Sequence, residues 1–537
     1  MTKLLPGYLH RRQVIRWLAL AAAGKHLSAK AWQQAKPGVG VFSLGVASGA
    51  ATHDSVVLWT RLYPDNWHDR ERLVRLQAVR WEVSHNEQFT QLVQSGTVNA
   101  LPELAHSVHV DVRGLAPDRW YFYRFRTGDA VSRTGRTRTF APPGAPTQAL
   151  RLAYASCQKW EDGYFSAYQH MERDNPDAVV FLGDYLYEYP GNSSKVRVPG
   201  GGWVQTLDEY RRRHALYKGD AHLQAMHATA PWWVTWDDHE VQNDYAGTTP
   251  GDGGPPGWQI IDFAQRRASA YQAYYEHMPV RAPEFAASLL TGQTGHLQMH
   301  GQIHLGNLAS LSLLDTRQYR DVQVCTKEGK GGSGMVDPDQ CAAWDDPTRS
   351  LLGSAQEQWL YQRLAQTRQT TAPRWNLIGQ QTLFCPRDLR PGQQRFFWND
   401  GWDGYPSARQ RLLHALQHHQ VPNAVFLGGD VHENWVGHVL PTQAKAHAEP
   451  LAVEFCGTSI TSKSGRSNER LPTVMAENPH FVFADVERKG YGLLDITHQQ
   501  LRAQLRVVDD VTQRQTQIET LAAFEVEAGR ARILRTS

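Results

Sequence analysis

Two short stretches of the sequence end in the same way, and together they restrict what the chain can fold into. The apolar run Ala178–Leu182 is followed by Gly183 and Asp184, and the apolar run Ala424–Leu427 is followed by two glycines and Asp430. Such a run predicts a strand buried on both faces, and the glycine predicts where it stops. In open α/β sheets, functional sites lie beyond the carboxyl ends of strands. The sequence therefore predicts two buried strands that present an aspartate at matching points.

The chain is long enough for two domains, and its patterns divide it near residue 146. With 537 residues it exceeds the size at which a single core is usual. Residues 39–141 carry short runs of alternating hydrophobicity and no helical pattern of useful length, which predicts an N-terminal antiparallel β-sandwich. The segment Gly114–Pro117 before an aromatic strand resembles a corner of fibronectin-type sandwiches. Closely spaced prolines from Pro142 to Pro146 then mark a boundary.

Residues 151–515 form the second predicted domain. Strand patterns alternate there with helix patterns near 164–173, 260–276 and 407–418, and this alternation predicts a layered α/β domain with helices covering the sheet. Three β patterns between residues 481 and 508 predict an antiparallel meander at its end. We assign residues 516–537 to a C-terminal tail.

The first thirty-one residues differ from the rest of the chain. Arg11 and Arg12 precede a short apolar segment, Trp17–Ala23, and Ala29–Ala31 offers a small-x-small cleavage point. This outline predicts a twin-arginine signal over residues 1–31, recognised by the twin-arginine export machinery and removed in a periplasmic or secreted protein. The apolar segment is too short to span a bilayer, so we expect no stable membrane insertion. The alternative is a cytosolic amphipathic N-terminus.

The charge balance bears on which molecules the protein could bind, and the cysteine count bears on which cysteines could form disulfides. Lysine and arginine total 56 against 53 acidic residues, a net charge of +3, so nothing in the balance predicts a nucleic-acid partner. The five cysteines leave at least one unpaired in an oxidising compartment. Cys325 and Cys341 bracket a glycine-rich loop that a disulfide could close, although two free thiols are the alternative.

Four clusters of chemically active residues follow predicted strands of the second domain. A single aspartate after a strand caps a helix more often than it binds a metal. Four clusters together, however, are the arrangement that a metallohydrolase needs if separate loops are to converge on shared ions. The clusters are Ala155–Cys157, Gly183–Tyr187, Trp236–Glu240 with Asn243 and Asp244, and Gly428–His432.

The residue types in these clusters indicate which metals they would hold. A thiolate, a carboxylate and a phenolate are anionic donors, and a phenolate needs a strongly acidic cation to stay deprotonated near neutral pH, which favours Fe³⁺ over zinc. Asp184 could bridge this ion to a second one, for which Asp238, Asn243 and His432 would supply oxygen or imidazole. Oxygen-rich ligation suits Ca²⁺. Two such cations can hold a phosphate ester while a metal-activated hydroxide attacks it.

Motifs along nearly the whole mature chain resemble those of the PhoD-like alkaline phosphatase/phosphodiesterase family, which is distantly related to the metallophosphoesterases. Phe42–Gly49 and Val57–Leu62 resemble the opening of the family's N-terminal domain. The core motifs are Ala155–Gln158, Gly183–Asp184, Trp236–Glu240, Leu314–Arg320, Gly353–Leu360 and Gly429–His432. The resemblance implies a metallophosphoesterase-like arrangement of the layered α/β domain.

The resemblance also implies roles for individual residues. It assigns Fe³⁺ to Cys157, Asp184, Tyr187 and Asp430. It assigns Ca²⁺ to Asp184 together with residues that include His432, Asp238 and Asn243. By analogy with metallophosphoesterases, His239 contacts the phosphate or donates a proton, so the catalytic residues are expected to be His239, Asp184 and Arg317. Arg317 could bind phosphate as a planar fork, or it could pair with a nearby carboxylate.

These observations predict an exported alkaline phosphatase/phosphodiesterase that hydrolyses mono- and diesters of phosphate. Its partners are expected to be small-molecule phosphate esters, and the protein is expected to be a monomer. One alternative is a phospholipase D-like phosphodiesterase. Another, from a different class, is a non-catalytic envelope binding protein in which the metal is structural.

Overall fold

The structure is a computed structural model. It describes residues 40–63, 77–192, 195–251, 262–292, 295–326, 331–369, 372–390, 392, 394–441 and 448–536. The predicted export signal over residues 1–31 lies outside the described residues. None of the helices that the structure describes is long and apolar enough to cross a bilayer.

The N-terminal region is built from short strands in two antiparallel groups. One group has the order β4-β3-β6-β7, with β8 also paired to β6, and in the other β1 pairs with β2 and β2 with β5. The hydroxyl of Tyr121 donates to the carbonyl of Ala116 at 3.1 Å and fixes the expected corner. The strands are β1 (Val46–Gly49), β2 (Ser55–Arg61), β3 (Gln77–Ser84), β4 (Leu92–Ala100), β5 (Ser107–Arg113), β6 (Trp120–Thr127), β7 (Ala130–Val131) and β8 (Gly135–Arg138).

The next part of the chain alternates strands and helices, as the sequence predicts. Its elements are β9 (Ala149–Ala155), α1 (Ala167–Asp174), β10 (Ala178–Leu182), α2 (Leu207–Lys218), α3 (Ala221–Thr229), β11 (Trp232–Thr235), α4 (Phe263–His277), α5 (Pro283–Thr291), β12 (Gly301–Leu305) and β13 (Ala309–Leu313). Helix α2 begins at a capping box, in which Thr206 and Glu209 satisfy each other's backbone N–H groups.

The last part of the chain completes both large sheets. Its elements are β14 (Met335–Val336), α6 (Ser354–Ala365), β15 (Trp375–Gly379), β16 (Phe397–Trp398), α7 (Pro406–His418), β17 (Ala424–Gly428), β18 (Asn434–Val439), β19 (Ala452–Cys456), α8 (Leu471–Glu477), β20 (Phe481–Asp485), β21 (Lys489–Thr497), β22 (Gln500–Val508), β23 (Ile518–Glu527) and β24 (Ile533–Arg535). Short 3-10 turns lie at Pro102–Leu104, Trp160–Asp162, Pro338–Gln340, Trp402–Gly404 and Asn468–Arg470.

Two mixed sheets organise the molecule. The ten-stranded sheet has the order β24-β23-β22-β21-β9-β10-β11-β1-β2-β5, and β9, β10 and β11 are parallel. The seven-stranded sheet has the order β12-β13-β15-β17-β19-β18-β20, and its strands from β13 to β19 are parallel. Leu182 of one sheet and Leu313, Leu377 and Leu427 of the other belong to one apolar core. The two predicted strands β10 and β17 therefore face each other across that core.

Two expectations about the ends of the chain need correction. Strands β1, β2 and β5, which the sequence assigns to an N-terminal β-sandwich, are not confined to it, because β1 pairs with β11 in parallel and joins them to the ten-stranded sheet. The segment 516–537 is not a tail along its described length, because β23 and β24 extend the same sheet beyond β22. Both features are pairings between distant parts of the chain, which local hydrophobic patterns do not encode.

The cysteines divide into one pair and three single residues. Cys325 and Cys341 form a disulfide, which decides between the two alternatives left open by the sequence. Cys157, Cys385 and Cys456 are free and buried. Only Cys157 is in one of the groups of side chains that could hold a metal ion, among the described residues.

Candidate metal centre

The carboxyl ends of β9, β10 and β17 meet at one place, and glycines at the ends of β10 and β17 allow the neighbouring segments to pack closely. A side chain at Gly183 would place its Cβ 2.6 Å from the Cβ of Asp237. A side chain at Gly429 would lie 2.3 Å from the hydroxyl of Ser156. The backbone N–H of Cys157 donates to the carbonyl of Gly183 at 3.0 Å and ties two of the strand ends together. Loops from both sheets therefore converge on a single site.

Four residues at these strand ends have a backbone conformation that only glycine adopts easily. The φ angles are 58° at Cys157, 57° at Asp184, 63° at Asp430 and 58° at His432. Left-handed backbone at a residue with a side chain costs about 1–3 kcal/mol and persists where the surroundings enforce it. Such positions cluster at functional sites, and here they turn donor side chains toward one another.

Tyr187 lies at the centre of the first group of donors. Its hydroxyl donates to Asp184 Oδ2 at 2.8 Å and lies 3.0 Å from His432 Nε2. The hydroxyl of Ser462 donates to the same phenol oxygen at 2.8 Å. Donor atoms of Cys157, Asp184 and His432 all lie within 4.8 Å of one another. A buried thiol, carboxyl and phenol are thus brought together with a half-buried imidazole.

The imidazole of His432 is held in the tautomer that a metal requires. Its Nδ1 donates to the carbonyl of Lys463 at 3.0 Å, so Nε2 carries the free lone pair. Burial lowers the pKa of His432 to about 3, so the ring is neutral. Nε2 is therefore oriented toward the thiol and the phenol as an acceptor.

A second group of carboxylates adjoins the first. Asp237, Asp238 and Asp430 bring oxygens within 4.8 Å of one another, and so do Asp184 and Asp238 with a nitrogen of His239. We call Cys157, Asp184, Tyr187, Asp238, Asp430 and His432 the strand-end cluster. The structure thus brings together most of the predicted ligands. It places His432 beside the thiol and Asp430 beside Asp238, whereas the resemblance divided these two ligands the other way between iron and calcium.

Three buried oxygens in this region fit a cation. Asp184 Oδ1, Asp237 Oδ2 and Asp238 Oδ1 have no hydrogen-bond partner among the described residues, although each side chain is buried. Of the three, Asp238 Oδ1 has a guanidinium nitrogen of Arg317 at 3.5 Å. A buried carboxylate oxygen without a donor is costly unless a positive charge lies against it. The donor set and its unpaired oxygens therefore suit metal ions.

Burial and the crowding of negative groups shift the protonation of three members of the cluster. Burial and neighbouring carboxylates, opposed by His239, raise the pKa of Asp184 well above its usual value. Burial with Asp238 and Asp400, opposed by Arg317, raises the pKa of Asp430 to about 6. Burial, Asp184 and Asp430 raise the pKa of the Cys157 thiol. The pKa of Asp238 is instead lowered, because its burial is outweighed by Arg317 and His239. A bound cation would act against the three upward shifts.

His239 is positioned as a charged donor. Its Nδ1 donates to Glu188 Oε2 at 2.7 Å, and Glu188 Oε1 accepts the N–H of Asn243 at 2.8 Å. Burial opposes a charge on this ring, but Glu188, Asp184 and Asp238 outweigh it and raise the pKa of His239 well above its usual value. The ring centroid lies 4.0 Å from that of Tyr187. An imidazole oriented by Glu188 therefore stands beside the strand-end cluster.

Arg317 is surrounded by carboxylates. Its Nε donates to Asp237 at 2.5 Å, and its two terminal nitrogens donate to the two oxygens of Asp400 at 3.0 and 2.7 Å. The nearest oxygen of Asp238 is 3.5 Å away. This is the carboxylate pairing that the sequence left open as an alternative, and a direct contact between Arg317 and phosphate stays a prediction.

Asn243 lies at the edge of the site. Its Oδ1 accepts a hydrogen bond from the hydroxyl of Tyr189 at 2.7 Å, and its amide donates to Asp244 at 2.8 Å. Its role as a calcium ligand stays a prediction.

Several residues of the site were given no role of their own from the sequence, although Asp237, Glu240 and Asp244 belong to the third predicted cluster. Glu240 accepts the backbone N–H groups of Asp184, Tyr185 and Asp237, so one carboxylate fixes two strand ends. Asp400 follows only the two-residue strand β16, which local patterns do not reveal. A signal for the others existed, because Asp237, Glu240 and Asp244 lie in the same acidic segment as Asp238.

Known proteins share both the sequence and the fold of this chain. The family model described as "PhoD-like phosphatase" matches residues 152–505, and "PhoD-like phosphatase, N-terminal domain" matches residues 27–141. The chain is 41% identical over 490 residues to alkaline phosphatase D of Bacillus subtilis (strain 168), covering 90% of this chain and 80% of the relative. A solved structure of PhoD is similar with a TM-score of 0.84 at 39% identity, covering 94% of each chain.

Proposed function

Because the chain belongs to the PhoD-like phosphatase family, we propose that it hydrolyses phosphate mono- and diesters at the strand-end cluster, at alkaline pH and with Fe³⁺ and Ca²⁺ as its cations. It is a phosphoric ester hydrolase of the alkaline phosphatase/phosphodiesterase kind. The observation that carries the metal part is the set of three buried oxygens, on Asp184, Asp237 and Asp238, that have no hydrogen-bond partner among residues with a described structure.

The donors divide by chemistry between two kinds of cation. Cys157 and Tyr187 suit Fe³⁺, with Asp184 and Asp430 as its carboxylates, whereas the oxygens of Asp238 and Asn243 suit Ca²⁺ together with Asp184. The family resemblance adds His432 to the calcium ligands, although its imidazole lies beside Cys157 and Tyr187. When bound, such cations neutralise charge on the phosphoryl oxygens and hold both ends of an in-line displacement. The shared carboxylate of Asp184 would keep the ions close enough to act on one phosphate.

His239 supplies the proton in this proposal. Glu188 orients the ring through Nδ1, so Nε2 is left to face the substrate. A protonated imidazole can stabilise a phosphoryl oxygen or donate to the departing alkoxide. Arg317 holds Asp237 and Asp400 in place, and a contact with phosphate would require it to release one of these partners.

The wider organisation belongs to the same proposal. We assign a layered metallophosphoesterase-like domain to residues 151–515, extended by the strands that follow, and an N-terminal β-sandwich domain to residues 39–141. The twin arginines support export to the periplasm or beyond. We expect the exported protein to be a monomer. If Arg11→Lys with Arg12→Lys leaves the protein in the cytosol, the export assignment holds. Full export of this double variant would reject it.

An ester panel tests the reaction. We expect the purified protein to hydrolyse p-nitrophenyl phosphate and its bis ester, and the ratio of these rates to phosphatidylcholine hydrolysis decides between a general phosphoesterase and a phospholipase D-like enzyme. Asp184→Asn should abolish activity on every ester because it removes the bridging carboxylate. A folded, metal-loaded wild type that hydrolyses no ester would contradict the proposal and favour a binding protein.

A further inference from the structure

The loop closed by the disulfide lies against the metal centre, although no predicted ligand belongs to it. We call residues 325–341 the disulfide loop, and the structure describes Cys325, Thr326 and residues 331–341 of it. Its short strand β14 pairs with β16, which leads directly to Asp400. A Cβ at Gly331 would lie 2.1 Å from the carbonyl of Pro250, so the loop packs closely on the segment that follows Asp244.

Ser333 connects this loop to a candidate ligand through two hydrogen bonds. Its hydroxyl donates to Asp244 Oδ2 at 2.5 Å, and the backbone N–H of Asp244 donates to Asp238 Oδ2 at 2.6 Å. The other oxygen of Asp238 has no hydrogen-bond partner in the part of the chain that the structure describes, and Asp238 belongs to the groups that could hold a cation. The position of Ser333 therefore bears directly on the orientation of Asp238.

The loop also fixes the segment that carries Asp400. The N–H of Gly334 donates to Asn399 Oδ1 at 2.7 Å, and the amide of Asn399 donates to the carbonyl of Val324 at 2.7 Å. Asn399 is thus bound by one residue just before Cys325 and by one residue inside the loop. The next residue, Asp400, binds both terminal nitrogens of Arg317.

Asp244 needs such support because its backbone is strained. Its φ angle is 57°, in the left-handed region, where a residue with a side chain is held only by its surroundings. Besides Ser333, the amide of Asn243 donates to the same carboxylate, and Gln323 donates to its carbonyl at 2.8 Å. Loss of the loop would remove one of these constraints.

The alternative is that the disulfide stabilises the whole fold and has no effect on the cation site. Closure of a loop with a sequence separation of 16 restricts the unfolded chain and so stabilises the folded protein. That effect would leave cation affinity unchanged, because it acts on the unfolded state. Cation affinity therefore distinguishes the two roles.

We propose that the disulfide loop is a positioning element of the second cation site. It keeps Ser333 hydrogen-bonded to Asp244, and the backbone N–H of Asp244 in turn orients Asp238 for Ca²⁺. The protein therefore reaches its full calcium affinity only when Cys325 and Cys341 are oxidised to the disulfide. In that oxidation the two thiols lose two protons and two electrons by exchange with the disulfide of an oxidising protein, which is reduced to two thiols. This inference rests on the proposed function, and it makes Ser333 and the disulfide positioning groups.

Calcium-dependent thermal stabilisation, measured on chelator-treated protein without substrate, tests it. Ser333→Ala and the double variant Cys325→Ser with Cys341→Ser should each raise the half-saturating Ca²⁺ concentration about tenfold, as expected when a residue that supports a ligand is lost. Ser407→Ala is the matched control, because its hydroxyl donates to the carbonyl of Asp345 away from the site. The visible iron band should persist in all variants, since none of the described loop residues hydrogen-bonds to Cys157 or Tyr187.

Equal half-saturating concentrations in the wild type, Ser333→Ala and Ser407→Ala would overturn the inference. The single serine variant keeps the disulfide, so this outcome counts even if the double cysteine variant does not fold. A wild type that Ca²⁺ does not stabilise would overturn the proposed calcium site as well. Ester hydrolysis by that wild type would separate the two failures, because it would retain the phosphoesterase while removing calcium from it.

Discussion

The phenol of Tyr187 is only 1% exposed, yet its oxygen contacts a carboxyl, an imidazole and a hydroxyl. Burial, Asp184 and Cys157 raise its pKa well above the usual value. A phenolate is therefore unstable at this position unless a strongly acidic cation binds it. This is why Tyr187, more than Asp184, connects the site with iron, since carboxylates bind many metals.

Replacement of Tyr187 by Phe removes this oxygen and keeps the ring. We expect loss of the phenolate-to-iron band and at least about a tenfold fall in kcat, because a metal ligand should matter no less than the groups that support one. Absorption spectra and iron content would be measured together. Tyr491→Phe is the control, since Tyr491 is also buried and donates to a carboxylate, Asp174, far from the site. An unchanged spectrum in Tyr187→Phe would contradict the iron assignment.

The buried carboxyls give a pH dependence with a definite sign. Burial raises the pKa of Asp430 to about 6 and that of Glu240 to about 7. Without metal, these two carboxyls hold protons in the folded state that they release in the unfolded state, so their contribution to the free energy of unfolding falls as pH rises from about 5 to about 8. His432, whose pKa burial lowers to about 3, contributes in the opposite direction up to about pH 6.5. The raised pKa of His239 acts in the same direction as the two carboxyls. Bound cations replace the protons on the carboxyls.

Chelation should consequently destabilise the protein more at high pH. We expect the loss of Tm on chelator treatment to be larger at about pH 8 than at about pH 5.5. Thermal unfolding followed by circular dichroism, with and without chelator, measures the difference. A loss of Tm that is equal at both values, or larger at the lower one, would mean that these carboxyls do not face a cation.

At the scale of elements, strand ends and their glycines assemble the site. Strand β10 stops at Gly183, whose φ is 109°, and the chain turns there toward Asp237. A side chain at this position would meet both a strained conformation and a neighbouring backbone. The glycine that the sequence marked as a strand stop is thus also a packing requirement of the site.

Gly183→Ala tests that requirement. We expect it to lower the free energy of unfolding by at least about 3 kcal/mol, the sum of left-handed strain and overlap with Asp237. Gly128→Ala is matched for the strain alone, because Gly128 has a φ of 51° and nothing within 4 Å of an added Cβ, so it should lose about 1–2 kcal/mol. Urea unfolding compares them, and equal losses would show that the site leaves room at Gly183.

Local sequence patterns predicted the two strands that carry the site, but not all of the distant segments that contact or pair with the site's elements. Strands β10 and β17 were predicted because an apolar run that stops at glycine is a local signal. Asp400 was not, since a two-residue strand has no periodicity, and its partner Arg317 is 83 residues away. The parallel pairing of β1 with β11 was likewise missed, because strand order depends on contacts between distant segments. The family could be recognised from the sequence because each of its motifs is a continuous segment, and the similarity to known proteins confirms it.

At the scale of the whole molecule, the C-terminal strands secure the joint between the two sheets. Strand β23 pairs along the full length of β22. The ring of Phe524 in β23 lies 6.2 Å from that of Phe455 and 5.7 Å from that of Phe483, both in the seven-stranded sheet. The end of the chain therefore covers part of the core that supports both halves of the site.

Truncation tests this role. A chain that ends at residue 515 should be insoluble, because it leaves the edge of β22 unpaired and uncovers the apolar core beneath Phe524. A chain that ends at Arg535 keeps both last strands and should behave like the full chain. Soluble yield and gel filtration measure the outcome. A soluble, active protein ending at residue 515 would show that these strands are dispensable.

The central claim, a mixed iron and calcium centre in a phosphoesterase, is tested most directly by elemental analysis of the protein purified from its native host. Mass spectrometry of metals, with the visible spectrum of the same sample, should find iron and calcium in stoichiometric amounts and a phenolate-to-iron band. An active sample that contains zinc in place of iron, or that lacks the band, would contradict the account.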